Sequence, residues 1–248
     1  MTAPNTLAAR ARRGSETEGR STDELRAIVS HVGAELELAP AEDIIEWALA
    51  TFGERFCVTS SMSDAVLSHI ASRVAPGIDV LFLDTGYHFA ETIGTRDAVE
   101  ATMPVNLINI TPVQSVAEQD ATYGKDLYKR DPDLCCKLRK VQPLAERLAG
   151  YDAWATGLRR AETHNRVIAP VVGWDEKKQK VKVSPLARWS DEDVEKYIAE
   201  NGILVNPLQY DGYPSIGCWP CTQRVAEGED PRSGRWVGSN KTECGIHQ

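Results

Sequence analysis

Six cysteines are the most reactive side chains in this 248-residue sequence. Four fall in two tight pairs, Cys135-Cys136 and Cys218-Trp-Pro-Cys221. The second is a CxxC pair, a spacing shared by zinc sites, iron–sulfur sites and dithiol redox centres. The first is rarer. Adjacent side chains do not readily take two corners of one tetrahedral zinc ion, whereas a cubane cluster offers separate iron atoms to neighbouring thiolates. Together the pairs would supply the four thiolates of a 4Fe-4S cluster. A zinc half-site beside two buried thiols is the competing reading. Cys244 lies in Glu243-Cys244-Gly245-Ile246-His247, near the end of the sequence, where an exposed and mobile thiol can act as a nucleophile. Lys241 and His247 favour its thiolate, and Glu243 opposes it. The alternative is an inert tail thiol. Cys57 sits in an apolar run that reads as a buried strand, and as a small core side chain.

Composition bounds what these groups can serve. Basic residues number 28 and acidic residues 36, a formal charge of −8, which argues against a general nucleic-acid binder. A local basic pocket for a small anion is still allowed. Hydrophobic residues make up 42%, enough for a sizeable core. No apolar run approaches the roughly 20 residues of a membrane helix, and the leading residues lack the apolar stretch of a secretory signal. A cytoplasmic protein is expected, without membrane or nucleic-acid partners. That compartment argues against structural disulfides, so the cysteines are metal ligands, redox groups or core. A homo-oligomer is compatible with this composition.

The elements that must position these residues alternate. Residues 1–20 are polar and without apolar periodicity, and read as disordered. Ser21 and Glu24 form a capping-box pattern, so a helix begins near Thr22. A second helix fits Ala41–Phe52, with Pro40 near its start and Gly53 after its end. A strand over 54–60, a helix over 64–74, a strand over 78–84, a helix over 88–101 and a strand over 105–110 follow. A helix over 134–148 contains Pro143, which kinks or divides it. Strand patterns recur at 152–156, 167–174 and 181–186, with a polar turn at 176–180. Ser190 caps a last helix that ends near Asn201. Such alternation predicts a twisted, mostly parallel sheet with helices on both faces. Beyond Gly202 the chain is rich in Gly, Pro and Asn and reads as an irregular C-terminal tail. The expected division is a single domain over 21–222 and a mobile catalytic tail over 223–248.

Taken together, KRDPDLCCKLRK (129–140), GYPSIGCWPCT (212–222), GEDPRSGRW (228–236) and ECGIH (243–247) resemble the assimilatory sulfonucleotide reductases. LDTGYHFAET (83–92) and TGLRR (156–160) also look like this PAPS/APS reductase family. The nearest match is its iron–sulfur branch, which acts on adenosine 5′-phosphosulfate (APS). The resemblance spans 55–247 and rests on an ordered set of motifs. It implies an adenine nucleotide α-hydrolase-like α/β fold, with substrate across the carboxyl ends of the strands. It further implies one 4Fe-4S cluster on Cys135, Cys136, Cys218 and Cys221, and Cys244 as the catalytic nucleophile.

The implied reaction is thioredoxin-dependent reduction of APS to sulfite and AMP through an S-sulfocysteine, in sulfate assimilation toward cysteine. The first loop reads Ser60-Ser61-Met62-Ser63-Asp64 rather than the SGGxDS of ATP pyrophosphatases. A substrate without a pyrophosphate leaving group tolerates such a loop. Ser60 and Ser61 are therefore substrate-binding candidates. Leu83 is expected to pack on the base, and Gly86 and Gly157 to let backbone approach the nucleotide. Lys140 lies near one helical turn after Cys136, between cluster and substrate. Arg166, Arg232 and Arg235 are expected on the phosphosulfate, since a guanidinium grips oxyanions with two donors. His31, His69 and His164 show no metal-ligand spacing and read as surface or packing residues. Reduction of 3′-phosphoadenosine 5′-phosphosulfate (PAPS), ATP-dependent adenylation or RNA thiolation, and a non-enzymatic zinc-binding interaction module are the alternatives.

Overall fold

Strand residues alternate between two apolar layers, and that alternation builds the molecule. Phe56 and Val58, Val80 and Phe82, and Ala153 and Ala155 enter one core. Cys57, Leu81 and Trp154, their neighbours in sequence, enter the other. The structure is a computed structural model that describes residues 19–239, 241 and 243–246. Most of the leading segment read as disordered, and His247, lie outside the described residues.

The helices are α1 (Thr22–Val32), α2 (Ala41–Phe52), α3 (Val66–Val74), α4 (Ala90–Thr102), α5 (Val116–Tyr123), α6 (Leu127–Arg130), α7 (Pro132–Cys136), α8 (Gln142–Leu148) and α9 (Asp191–Asn201). The strands are β1 (Phe56–Ser60), β2 (Ile78–Leu83), β3 (Val105–Ile110), β4 (Ala153–Thr156), β5 (Val172–Asp175) and β6 (Lys180–Val183). They form one six-stranded sheet in the order β3-β2-β1-β4-β6-β5. Every pairing is parallel except β5 with β6. Leu25, Ile44, Ile45 and Ile70 cover one face, and Leu144 and Leu148 of α8 cover the other. Among the described residues no helix is long and apolar enough to cross a membrane.

Local chemistry sets several boundaries. Ser21, Ser115 and Ser190 each accept from the third helical N–H, while Glu24, Glu118 and Asp193 return the bond to the cap. The helix read as one element over 134–148 is three pieces. Between α7 and α8 the backbone widens into a π-turn at Lys137–Val141. It falls just before Pro143, whose missing N–H would have served the Arg139 carbonyl in an α-helix. The strand pattern over 167–174 is realised only from Val172, and two 3-10 turns precede it. Beyond Gly202 the described chain holds only short 3-10 turns and isolated bridges.

Candidate active site

Strand order reverses between β1 and β4, so a crevice opens at the carboxyl ends of these two parallel neighbours. Ser60 ends β1, and its hydroxyl accepts from the Met62 N–H at 3.2 Å. Met62 has φ 58, left-handed for a non-glycine residue, which costs on the order of 1–3 kcal/mol. Buried Asn206 holds it there, donating from Nδ2 to the Met62 carbonyl at 3.1 Å and to Thr92 Oγ1 at 3.0 Å. The loop thus turns without glycine. Ser61 is exposed at its rim, its hydroxyl 3.3 Å from that of Ser63. Gly157 follows β4, and a Cβ there would meet nothing within 4 Å, so the crevice is open beside its backbone.

Leu83 ends β2 and is half-buried. Gly86 has φ 73, and a Cβ on it would lie 3.0 Å from Arg139 Nη2. Its glycine therefore serves the turn and makes room for a buried guanidinium. Arg139 donates to the Thr85 carbonyl and, at 3.1 Å, to Gln119 Oε1. This ties the β2 loop to the π-turn.

Cys135, Cys136, Cys218 and Cys221 come from segments more than 80 positions apart and line one cavity, together with Lys140. Cys135 and Cys136 close α7; Cys218 precedes a 3-10 turn whose last residue is Cys221. The turn is stapled to the β2 loop, because the Trp219 N–H donates to the Tyr87 carbonyl at 2.8 Å. Thr85 Oγ1 lies 3.3 Å from the Cys218 sulfur. Burial, then the charges of Cys218 and Cys221, push the Cys135 thiol up to about 11. Crowded thiols that resist ionisation are what a cationic cluster would relieve, and the donor set is all sulfur. Among the described residues no group of three or more His, Cys, Asp or Glu could hold a single metal ion. The four thiols ring a cavity instead.

Cys244 is half-buried beside this cavity rather than freely exposed. Its neighbours anchor it on both sides. Lys241 Nζ pairs with Asp133 of α7. Buried Glu243 accepts from Arg166 Nε and Nη2, each at 2.9 Å, and lies 3.4 Å from Arg232 Nη2. Ile246 packs against the core cluster that holds Trp154 and Leu144. A hydrogen bond with Cys136, followed by the charges of Lys140 and Arg235, holds the Cys244 thiol well below the ordinary range despite burial. Burial opposes the charge of Lys140, yet the neighbouring cysteine sulfurs, Cys244 among them, raise it above the usual lysine value. Arg235 is lowered, first by burial and then by Arg232. Ser215 Oγ accepts from Nη1 of both Arg235, at 3.2 Å, and Arg232, at 3.4 Å.

The remaining residues sort simply. Cys57 is fully buried, and burial pushes its thiol up. Arg159 pairs with Asp191 and Arg160 with Glu37, so the other arginines of the TGLRR neighbourhood bind the protein itself. His31 and His164 are exposed, and His69 Nδ1 lies 2.9 Å from the Tyr197 hydroxyl. The sequence reading missed Glu243 as a ligand of Arg166, and also Arg139, Asn206 and Ser215. Only Asn206 carries a local signal, an Asn-Pro turn after Gly202.

A mostly parallel sheet with its open crevice at the β1–β4 switch point, together with the likenesses that follow, places the chain among adenine nucleotide α-hydrolase-like folds. The same fold is seen in a solved FMN adenylyltransferase from Candida glabrata, at TM-score 0.51 and 10% identity over 91% of this chain and 75% of that one. The phosphoadenosine phosphosulfate reductase domain family matches residues 55–224. A solved PAPS reductase from Candida auris, in a phosphate complex, is similar at TM-score 0.68 and 26% identity over 85% of this chain and 100% of that one. An adenosine 5′-phosphosulfate reductase of Streptomyces coelicolor is 66% identical over 230 residues, 93% of this chain and 98% of the relative. The chain belongs to the phosphoadenosine phosphosulfate reductase family, alongside its adenosine 5′-phosphosulfate reductases.

Proposed function

We propose that this enzyme reduces APS to sulfite and AMP, with thioredoxin as reductant, in the cytoplasm and in sulfate assimilation toward cysteine. The observation that carries this reading is Cys244, held at the cysteine-lined cavity beside Lys140 and Arg235 and adjacent in sequence to Glu243, which pairs with Arg166 and Arg232. Its thiolate attacks the sulfuryl sulfur; the S–O bond to the phosphate breaks, and AMP leaves with that electron pair. The enzyme is left with Cys244 S-sulfonated. A thioredoxin thiolate then attacks the Cys244 sulfur, sulfite departs, and a mixed disulfide remains. The second thioredoxin thiol resolves it, so thioredoxin is oxidised by two electrons and Cys244 returns reduced.

Arg166, Arg232 and Arg235 grip the phosphosulfate oxygens, and Lys140 counters charge developing on them. Ser60, Ser61, Leu83, Gly86 and Gly157 line the nucleotide. Cys135, Cys136, Cys218 and Cys221 would hold one 4Fe-4S cluster, which organises the site and adds local charge. A four-iron cluster takes each thiolate on a separate iron, in keeping with four thiols around a cavity. Residues 223–248 work as a tail that closes for attack and opens to thioredoxin, with Gly234, Gly238 and Gly245 easing the motion.

The test is turnover by anaerobically purified protein given APS and reduced thioredoxin, with sulfite and AMP measured. PAPS in competition distinguishes the neighbouring substrate. Sulfite from PAPS but not from APS would reject this assignment.

A further inference from the structure

Two of the three arginines expected on the substrate, Arg166 and Arg232, are engaged by one of the chain's own carboxylates, Glu243. Arg166 presents Nε and Nη2 to the two oxygens of Glu243, each at 2.9 Å. That edge of a guanidinium is the one that takes two oxygens of a phosphate or sulfuryl group. Arg232 Nη2 reaches the second Glu243 oxygen at 3.4 Å. The Glu243 side chain is 10% exposed and that of Arg166 11%, so water does little to screen the pair. The anchors on either side of Glu243 use other partners: Lys241 on Asp133, and the Ile246 carbonyl on Lys178. Releasing Glu243 would therefore shift the tail locally without freeing it.

We propose that Glu243 is an internal stand-in for the substrate's anion, holding Arg166 and Arg232 in the substrate-free enzyme and exchanging with the phosphosulfate when APS binds. The inference rests on the reading of Arg166 and Arg232 as the anion site. The exchange keeps the Nε–Nη2 edge of Arg166 occupied by an anion before and after substrate arrives, while Glu162 stays on Nη1 at 2.5 Å. It also couples the anion site to the residue beside the nucleophile. The contact at Glu243 is made while the site lacks substrate, and it gives way locally to the molecule that Cys244 must attack.

APS binding is measured by calorimetry on the cluster-loaded enzyme in a Cys244→Ser background, which blocks the chemistry. Glu243→Gln removes the competing charge. If the Glu243-paired form holds about nine molecules in ten, its removal tightens APS binding about tenfold. A merely structural role for Glu243 predicts weaker binding in the same variant, and weaker or unchanged binding overturns the inference. Arg166→Ala and Arg232→Ala test the underlying reading separately: APS affinity unchanged in both rejects the anion site itself. Should Glu243→Gln fail to fold, hydrogen exchange in the unmodified enzyme gives the answer. Saturating AMP should speed exchange of the Cys244 and Gly245 amides, and unchanged exchange overturns the exchange of anions.

Discussion

Lys178 Nζ donates to the carbonyl of Ile246 at 2.7 Å, across 68 positions of chain. The lysine is itself fixed, paired with Asp175 at 2.9 Å and lying 5.1 Å from the centre of the Trp154 ring. The β5–β6 turn thus holds the backbone two residues beyond Cys244. A charged donor on a carbonyl contributes about 1.5–3 kcal/mol. Lys178→Met keeps the apolar stem and removes the donor. It should shift the tail toward its open form, and iodoacetamide should alkylate Cys244 about ten- to a hundredfold faster in the substrate-free enzyme. Mass spectrometry of the tail peptide over time gives the rate. An unaltered rate would mean that Lys178 does not hold the tail.

The cysteine pairs make a compositional prediction. Protein purified without oxygen should carry about four irons and about four acid-labile sulfides per chain. Serine at any one of Cys135, Cys136, Cys218 or Cys221 should lower both contents and impair turnover. Iron, sulfide and zinc analysis of the native protein decides it. Stoichiometric zinc with no sulfide sinks the cluster assignment.

Much of the frame was readable because its signals are local. Capping serines at Ser21 and Ser190 sit within three residues of the acids that answer them. The alternation of Val58, Val80 and Ala155 with Cys57, Leu81 and Trp154 repeats every second residue. Helix α5 carried the same kind of signal, Ser115 with Glu118, but a short polar helix has little apolar period to reinforce it. The site was readable as residue types, less so as partners. Glu243 meets Arg166 across 77 positions, and Asn206 reaches Met62 across 144. No spacing along the chain encodes such pairs; they exist only once the sheet has brought the ends together. Glu243 was read as an opponent of the Cys244 thiolate. What was not read is its pairing with Arg166 and Arg232.

Acid stability offers a separate check. Glu37 lies against Arg160 at 2.6 Å, and the hydrogen bond from that guanidinium, more than burial opposes it, lowers the Glu37 carboxyl below its ordinary value. A carboxyl whose folded pKa is depressed stabilises fully above its unfolded value, about 4.3, and loses that contribution as pH falls through the folded value. Glu37→Gln should therefore be less stable than the parent near neutrality, and the gap should close as the pH drops below that range. Urea unfolding of both proteins at a series of pH values measures it. A gap that stays constant into acid would show that charge at Glu37 contributes nothing.

Cys244 carries the sharpest chemical prediction. Four other cysteines line the cavity and Cys57 is fully buried, which leaves Cys244 as the thiol with both reach and nearby positive charge. Cys244→Ser should keep its visible absorbance and still bind APS, because neither property uses this sulfur. It should release no sulfite, since a neutral hydroxyl is a far weaker nucleophile than a thiolate. The native enzyme given APS without thioredoxin should gain one sulfite-sized mass on the peptide that contains Cys244, and reduced thioredoxin should remove it. The label on Cys57 or a cavity cysteine, or full turnover by the serine variant, would move the nucleophile elsewhere. The fold and the family would stand, because the sheet order and the match over residues 55–224 are independent of which sulfur attacks.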